Sequence, residues 1–261
     1  MKSFIATSFL AGLALASPMM ENAKLELQAR NAARRSNRFR AVGDGGYGNI
    51  TAATVSSTNW GGAAIVTSGV TEVSGTFNVP QPSPPSGGSS NTDYCGAAWI
   101  GIDGYSNSAL IQTGVLWCVQ NGQYEYEGWY EYLPAALIAY SGFSVTAGNS
   151  VTVTVTKTST SGGTTTISAN GKSASHTFSG QSTKLQGASA EWIVEDFTSG
   201  NSLVPFANFG TVTFTGATAV INGATVSASS DNPTTIVLES SSGSALTSTS
   251  ISGSTVTVKY V

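Results

Sequence analysis

Histidine, cysteine and charge are all scarce in this chain. Its 261 residues include one histidine, two cysteines and charged side chains at only 10%. The lone His176 sits in a polar Thr/Ser context, far from any nucleophile signature, which speaks against a Ser–His–Asp triad. It also leaves too few ligands for a metal site, and no cofactor motif stands out, so neither metal nor cofactor is expected. A G-x-S-x-G elbow, an H-E-x-x-H helix and the Asp-Thr-Gly motif of pepsin-like enzymes are all missing. What remains for hydrolytic chemistry is carboxylates, with amide groups in support.

Long apolar runs are lacking too, apart from Phe4 to Ala16 at the N-terminus. That run follows Lys2 and ends in Ala14-Leu15-Ala16, an A-x-A pattern that predicts a signal peptide over residues 1–16, cut before Ser17. It is too short to span a bilayer. The expectation is a secreted, extracellular, soluble protein. In that setting Cys95 and Cys118 are most simply a disulfide.

Basic residues are unevenly spread. Lys24, Arg30, Arg34, Arg35, Arg38 and Arg40 crowd residues 17–53, which end in the loop Gly43-Asp44-Gly45-Gly46. From residue 54 onward only Lys157, Lys172, Lys184 and Lys259 remain, against eleven acidic residues. A removable basic propeptide fits this asymmetry, because a cationic segment has an evident partner in an acidic domain. The alternative is a tail with no role. Leu25, Leu27 and the alanines near 29–33 favour helix there. Asn49-Ile50-Thr51 is a glycosylation sequon that would leave with the segment. The acidic remainder argues against nucleic acid and anionic membranes as partners.

Residues 54–261 read as one domain. Val151-Thr-Val-Thr-Val-Thr156, Thr211-Val-Thr-Phe-Thr215 and the C-terminal Thr-Val-Thr-Val-Lys-Tyr alternate with period two, and Asn170-Gly171 is a hairpin signal. Many short strands with Gly-rich turns predict an all-β sandwich or barrel. Gln81 to Thr92, rich in Pro, Gly and Ser, must be a surface loop.

Against this charge-poor background, Glu191, Glu195 and Asp196 fall within six positions of Glu191-Trp-Ile-Val-Glu-Asp-Phe197. Read as a strand, Glu191, Ile193 and Glu195 share one face. Two carboxylates on a half-buried face are costly unless paired, protonated or employed. A solvated edge strand would explain them equally well. Gln112, between Leu110 and Gly114 in an apolar run, needs hydrogen-bond partners, and a buried polar network would satisfy it. Gly114 beside it would let a ligand approach the backbone. Tyr124 to Leu133 is dense in aromatics and carboxylates, among them Trp129 and Glu131, and could line a groove or belong to the core.

Taken together, Asn59-Trp60-Gly-Gly62, Trp99-Ile-Gly-Ile-Asp103-Gly104, Ile111-Gln-Thr-Gly114, Trp129-Tyr-Glu131-Tyr132 and Ala190-Glu-Trp-Ile-Val-Glu-Asp-Phe197 resemble the fungal glutamic peptidases, the eqolisins. The motifs occur in order across essentially all of residues 54–261, and a signal peptide and basic prosegment match as well. The resemblance implies a concanavalin-like sandwich of two curved antiparallel sheets. It implies an acid endopeptidase whose catalytic pair is Gln112 and Glu195, with Glu191 as the rival base. Glu195 would activate a water, and Gln112 would stabilise the tetrahedral oxyanion. Trp60, Asp103, Trp129, Glu131 and Glu191 would bind or orient substrate. Polypeptides would be the substrates, the propeptide an inhibitor, and the enzyme a monomer.

There are departures. A member of the family carries two further cysteines where this chain reads Tyr105-Ser-Asn-Ser108 and Lys184-Leu-Gln-Gly187, and the segment from Asp103 to Gln112 is one residue shorter. One bridge is therefore expected to be missing, leaving Cys95–Cys118. Two other classes compete. A β-sandwich glycosidase would need a second carboxylate facing Glu195, at about 5 to 5.5 Å if retaining. A carbohydrate-binding module would need neither Gln112 nor Glu195.

Overall fold

The computed structural model describes residues 33–42 and 54–261. The expected signal peptide, most of the basic segment and the Asn49 sequon lie outside the described residues. From Thr54 onward the ordered elements are all strands. In chain order they are β1 (Arg34–Arg35), β2 (Thr54–Ser57), β3 (Trp60–Val66), β4 (Val70–Asn78), β5 (Tyr94–Ile102), β6 (Ile111–Gln120), β7 (Gln123–Tyr132), β8 (Ile138–Ala139), β9 (Ser150–Ser159), β10 (Gly162–Ala169), β11 (Lys172–Phe178), β12 (Ser189–Glu195), β13 (Thr198–Ser199), β14 (Ser202–Leu203), β15 (Thr211–Ile221), β16 (Ala224–Ser227), β17 (Thr234–Leu238), β18 (Thr247–Ser252) and β19 (Thr255–Tyr260).

Two eight-stranded sheets form a sandwich. One runs β2-β17-β3-β12-β5-β6-β7-β8, and the other β11-β10-β9-β4-β15-β19-β18 with β16 joined to β15. Pairing is antiparallel except for β2 on β17, which is parallel. The second sheet follows the period-two pattern: Val151, Val153 and Val155 of β9 are buried while the threonines between them are more exposed. These valines pack with Phe77, Ile167, Phe214, Val256 and Val258 against Ile100, Ile111, Trp117, Trp192 and Val194 of the first sheet. That is the core, and burial of this apolar area drives the fold.

The first sheet breaks the alternating pattern. Every residue of β5 and β12, and nearly every one of β6, is buried. One face meets the second sheet. The other carries a separate cluster of Trp60, Trp99, Trp129, Leu110, Tyr105 and Phe197, roofed in part by residues 34–40. The alternative of a solvated edge strand at 191–197 does not hold: β12 lies at the middle of its sheet, between β3 and β5. The described part of the basic segment is also not helical at Arg34–Arg35, which pair with Thr198 and Ser199.

Gly114 has a different use from the expected approach of a ligand. A Cβ there would stand 2.1 Å from the Ala98 carbonyl oxygen and 2.5 Å from Trp99 Cβ. The missing side chain makes room for the neighbouring strand. Cys95 and Cys118 sit opposite each other on β5 and β6 and are joined by a disulfide.

Candidate active site

The site lies on the outer face of the first sheet. Pairing aligns Glu191 with Gly101, Gly101 with Gln112, and Gln112 with Glu131 in one row across β12, β5, β6 and β7. Glu195 lies four residues, two side-chain repeats, further along β12, opposite Ala97. Register alone would set Gln112 level with Glu191. The side chains meet differently. Ser36 Oγ donates to Glu195 Oε2 and lies 3.5 Å from Gln112 Oε1. One oxygen atom thus touches both Gln112 and Glu195. Glu191 takes no part in this contact.

Each partner is fixed from behind. Gln112 Nε2 donates to Glu131 Oε2 at 2.7 Å, which turns Oε1 toward Ser36. Glu195 Oε2 also accepts from Trp99 Nε1 at 2.9 Å, and Oε1 from the Asn37 backbone N–H at 2.8 Å. The motif around Trp99 does not by itself single out this indole as a partner of Glu195; alternation along β5, which puts Trp99, Gly101 and Asp103 on one face, is the signal that could have found it. Gln112 and Glu195 are both fully buried, and Ser36 and Asn37 are part of their cover.

The electrostatics follow from that burial. Glu195 is pushed up to about 7, by desolvation first; the donors Ser36, Asn37 N–H, Trp99 and Asn59 oppose it. Glu131 is held well above the usual carboxylate range by burial and by the nearby Glu195, against the Gln112 bond. Asp196 is pushed up to about 8 by burial and by Glu195. Glu191 is raised well above its ordinary value by burial, the Ser189 hydroxyl opposing and Asp103 adding to it. The Ser189 hydroxyl lies near without closing a hydrogen bond to either Glu191 oxygen, and a buried charge left unpaired in this way is costly.

The remaining sequence-predicted residues divide. Trp60 borders the cleft: its indole N–H donates to the Asn37 carbonyl at 2.8 Å, and its ring meets Trp99 edge-on at 4.9 Å. Trp129 pairs with Gly114 on the same face and is fully buried. Asp103 is a structural anchor. It sits at φ 73°, accepts the backbone N–H groups of Gln186, Gly187 and Ala188 at 2.7, 3.0 and 2.7 Å, and takes a fourth bond from Asn107. It thereby ties the loop after β5 to residues 186–188.

Residues 34–39 run along the cleft in extended form. Arg34 makes an ion pair with Glu125 at 2.6 Å and lies 6.0 Å from the Phe197 ring centroid. β1 adds to the β13–β14 hairpin as an antiparallel strand, the usual way a peptide joins a sheet edge. Among the described residues, the one group with metal-ligand proximity is Asp93 with the disulfide-bonded Cys95 and Cys118, so those sulfurs are not free thiolates.

The chain matches the model of the Peptidase A4 family over residues 58–260. It is 40% identical to aspergillopepsin-2 of Aspergillus niger, with 97% of each chain covered. To scytalidopepsin B of Scytalidium lignicola it is 37% identical, over 90% of this chain and 87% of that one. A crystal structure of scytalido-glutamic peptidase with a transition-state analogue inhibitor superposes with a TM-score of 0.70 at 34% identity, covering 78% of this chain and 98% of that chain. Aspergilloglutamic peptidase from Aspergillus niger superposes at 0.61 and 48% identity, over 64% and 99%. The sandwich fold, the ordered motifs and these likenesses agree: the chain is a peptide hydrolase and belongs to the Peptidase A4 family, the glutamic peptidases or eqolisins.

Proposed function

We propose that the protein is a secreted, monomeric acid endopeptidase in which Glu195 is the general base and Gln112 the oxyanion stabiliser. The observation that carries this reading is the single Ser36 oxygen in contact with both side chains. A water in that place would donate one hydrogen to Glu195 and the other to Gln112 Oε1, leaving a lone pair for the scissile carbonyl carbon. As the C–O bond forms, Glu195 takes the proton and the carbonyl oxygen becomes an oxyanion. Gln112 Nε2 has two hydrogens, of which Glu131 takes one; the second can meet the oxyanion without titrating. Glu195 then returns the proton to the amide nitrogen, the C–N bond breaks, and an acid and an amine leave. Proton transfer of this kind contributes on the order of 100- to 10,000-fold.

With the basic segment bound, burial keeps Glu195 near 7. Solvent entering an emptied cleft eases that burial and lowers the value, leaving a fraction ionised in acid. Trp60, Trp129, Glu131 and Glu191 line or back the cleft, and Asp103 sets its loops. A carboxylate pair flanking the cleft, as a glycosidase requires, finds no support: an amide faces the Ser36 oxygen and Glu131 stands behind it.

Residues 17–53 act as the inhibitory propeptide, strongest near neutral pH. Support comes from the Arg34–Glu125 pair and from Ser36 and Asn37 on Glu195. Protonating Glu195 in acid takes away acceptor capacity from those two donors and loosens the segment.

The test is an assay of Gln112→Glu, Glu195→Gln and Glu191→Gln on a denatured protein at about pH 3, where ordinary carboxyls are largely protonated. The first two variants should lose nearly all activity and the third should retain it. Full activity in Glu195→Gln moves the base elsewhere.

A further inference from the structure

We infer that the socket between Trp60 and Tyr105, filled here by Phe39, is the substrate subsite for an aromatic side chain on the C-terminal side of the cleaved bond. The inference rests on the Gln112–Glu195 reading, which places the reacting bond beside Ser36.

Phe39 is an apolar exception in the run Arg34-Arg-Ser-Asn-Arg-Phe-Arg40, and it is buried like a core residue. Its ring stacks on Tyr105 at 4.5 Å with the planes 22° apart, and meets Trp60 at 5.9 Å and 59°. One stacked ring and one tilted ring around a third select for aromatics by shape and quadrupole.

The backbone around Phe39 is held by groups that recognise any peptide. Phe39 N–H donates to the Gly104 carbonyl at 3.1 Å, and Arg40 N–H to Asn59 Oδ1 at 3.1 Å. Asn59 Nδ2 donates to the Arg38 carbonyl at 3.1 Å, and Trp60 Nε1 to the Asn37 carbonyl at 2.8 Å. None of these bonds reads a side chain, so a substrate strand can replace the segment and keep them.

The Tyr105 wall has supports besides the segment. Tyr105 follows Asp103 and Gly104 in a loop pinned by Asp103 to residues 186–188 and by Asn107 to Gly104 N–H.

Direction follows from strand addition. β1 is antiparallel to β13, and a substrate adding to the same edge in the same sense runs the same way. With Ser36 over the catalytic pair, Phe39 is three residues further on. The socket then takes the third or fourth residue after the cleaved bond, according to whether the Ser36 oxygen faces the carbonyl before or after it.

The experiment uses the mature enzyme and peptides differing only at those two positions. Phe in the correct position should raise kcat/KM about tenfold over Ala, mainly through KM, and Lys should give no gain. In Tyr105→Ala the Phe-to-Ala ratio should fall to about one. No aromatic preference in the wild type, or a preference that survives Tyr105→Ala, overturns the inference. A second measurement covers a variant that fails to fold: binding of the peptide comprising residues 33–42 should weaken about tenfold with Phe39→Ala and persist with Phe39→Trp. Equal binding of Phe39→Ala overturns the socket. If the wild type cleaves none of the peptides, the catalytic reading falls, while the binding comparison still decides on the socket.

Discussion

The Gln112 amide nitrogen donates to Glu131 at 2.7 Å, and both side chains are buried. This one bond turns the amide oxygen toward Ser36. Glu131→Ala should leave Gln112 free to turn, lowering kcat about 10- to 100-fold with little change in KM, since small misplacements of catalytic groups cost up to about 100-fold. Glu131→Gln keeps an acceptor and should fall less. Steady-state kinetics of the two variants checks this.

Ser36 presents a hydroxyl where the proposed mechanism needs water. A peptide of residues 33–42 should inhibit the mature enzyme in trans, and Ser36→Ala should weaken it about 10- to 100-fold, as expected for a lost bond to a carboxylate. Arg34→Gln should weaken it too and remove much of the salt dependence. Inhibition constants at two ionic strengths measure both effects.

Glu191 should make the protein less stable as pH rises. Its folded value lies well above its ordinary one, so between the two the folded state holds more protons than the unfolded state. Stability is then fully present in acid, and is lost as pH rises above the ordinary carboxylate range. Asp196, at about 8, acts in the same sense. Thermal melts should show Tm falling from about pH 4 toward neutral, and Glu191→Gln should flatten that fall.

Asp103→Asn should destabilise the fold by about 2–3 kcal/mol, because an amide cannot accept three backbone N–H groups as the carboxylate does. Its φ of 73° suits Asn, so the loss reports the hydrogen bonds and not the backbone. Denaturant unfolding measures it.

The sandwich was legible because Thr/Val alternation marks strands that bury one face. The strand carrying Glu195 was harder to place. It is buried on both faces, and an unpaired charge-bearing strand looks the same in sequence whether it lies at an edge or at the centre. Glu191 and Glu195 share a face by period, so periodicity could not choose between them, and cross-strand register would have favoured Glu191. The proposed choice of Glu195 rests on the Ser36 oxygen it shares with Gln112 and on Trp99 Nε1 bonded to Glu195, neither of which a local pattern encodes. Ser36 and Phe39 lie in a run of arginines, where no local pattern marks either one. The parallel pairing of β2 with β17 joins residues far apart in the chain, and no local pattern encodes it.

The central claim is that Gln112 and Glu195 share one water in one cleft. A crystal structure of the mature enzyme without its basic segment tests it most directly. An ordered water within about 3.2 Å of both Gln112 Oε1 and a Glu195 carboxylate oxygen, in the place of Ser36 Oγ, is the predicted result. Side chains too far apart to share a water, or a cleft closed to solvent once the segment has left, would contradict it.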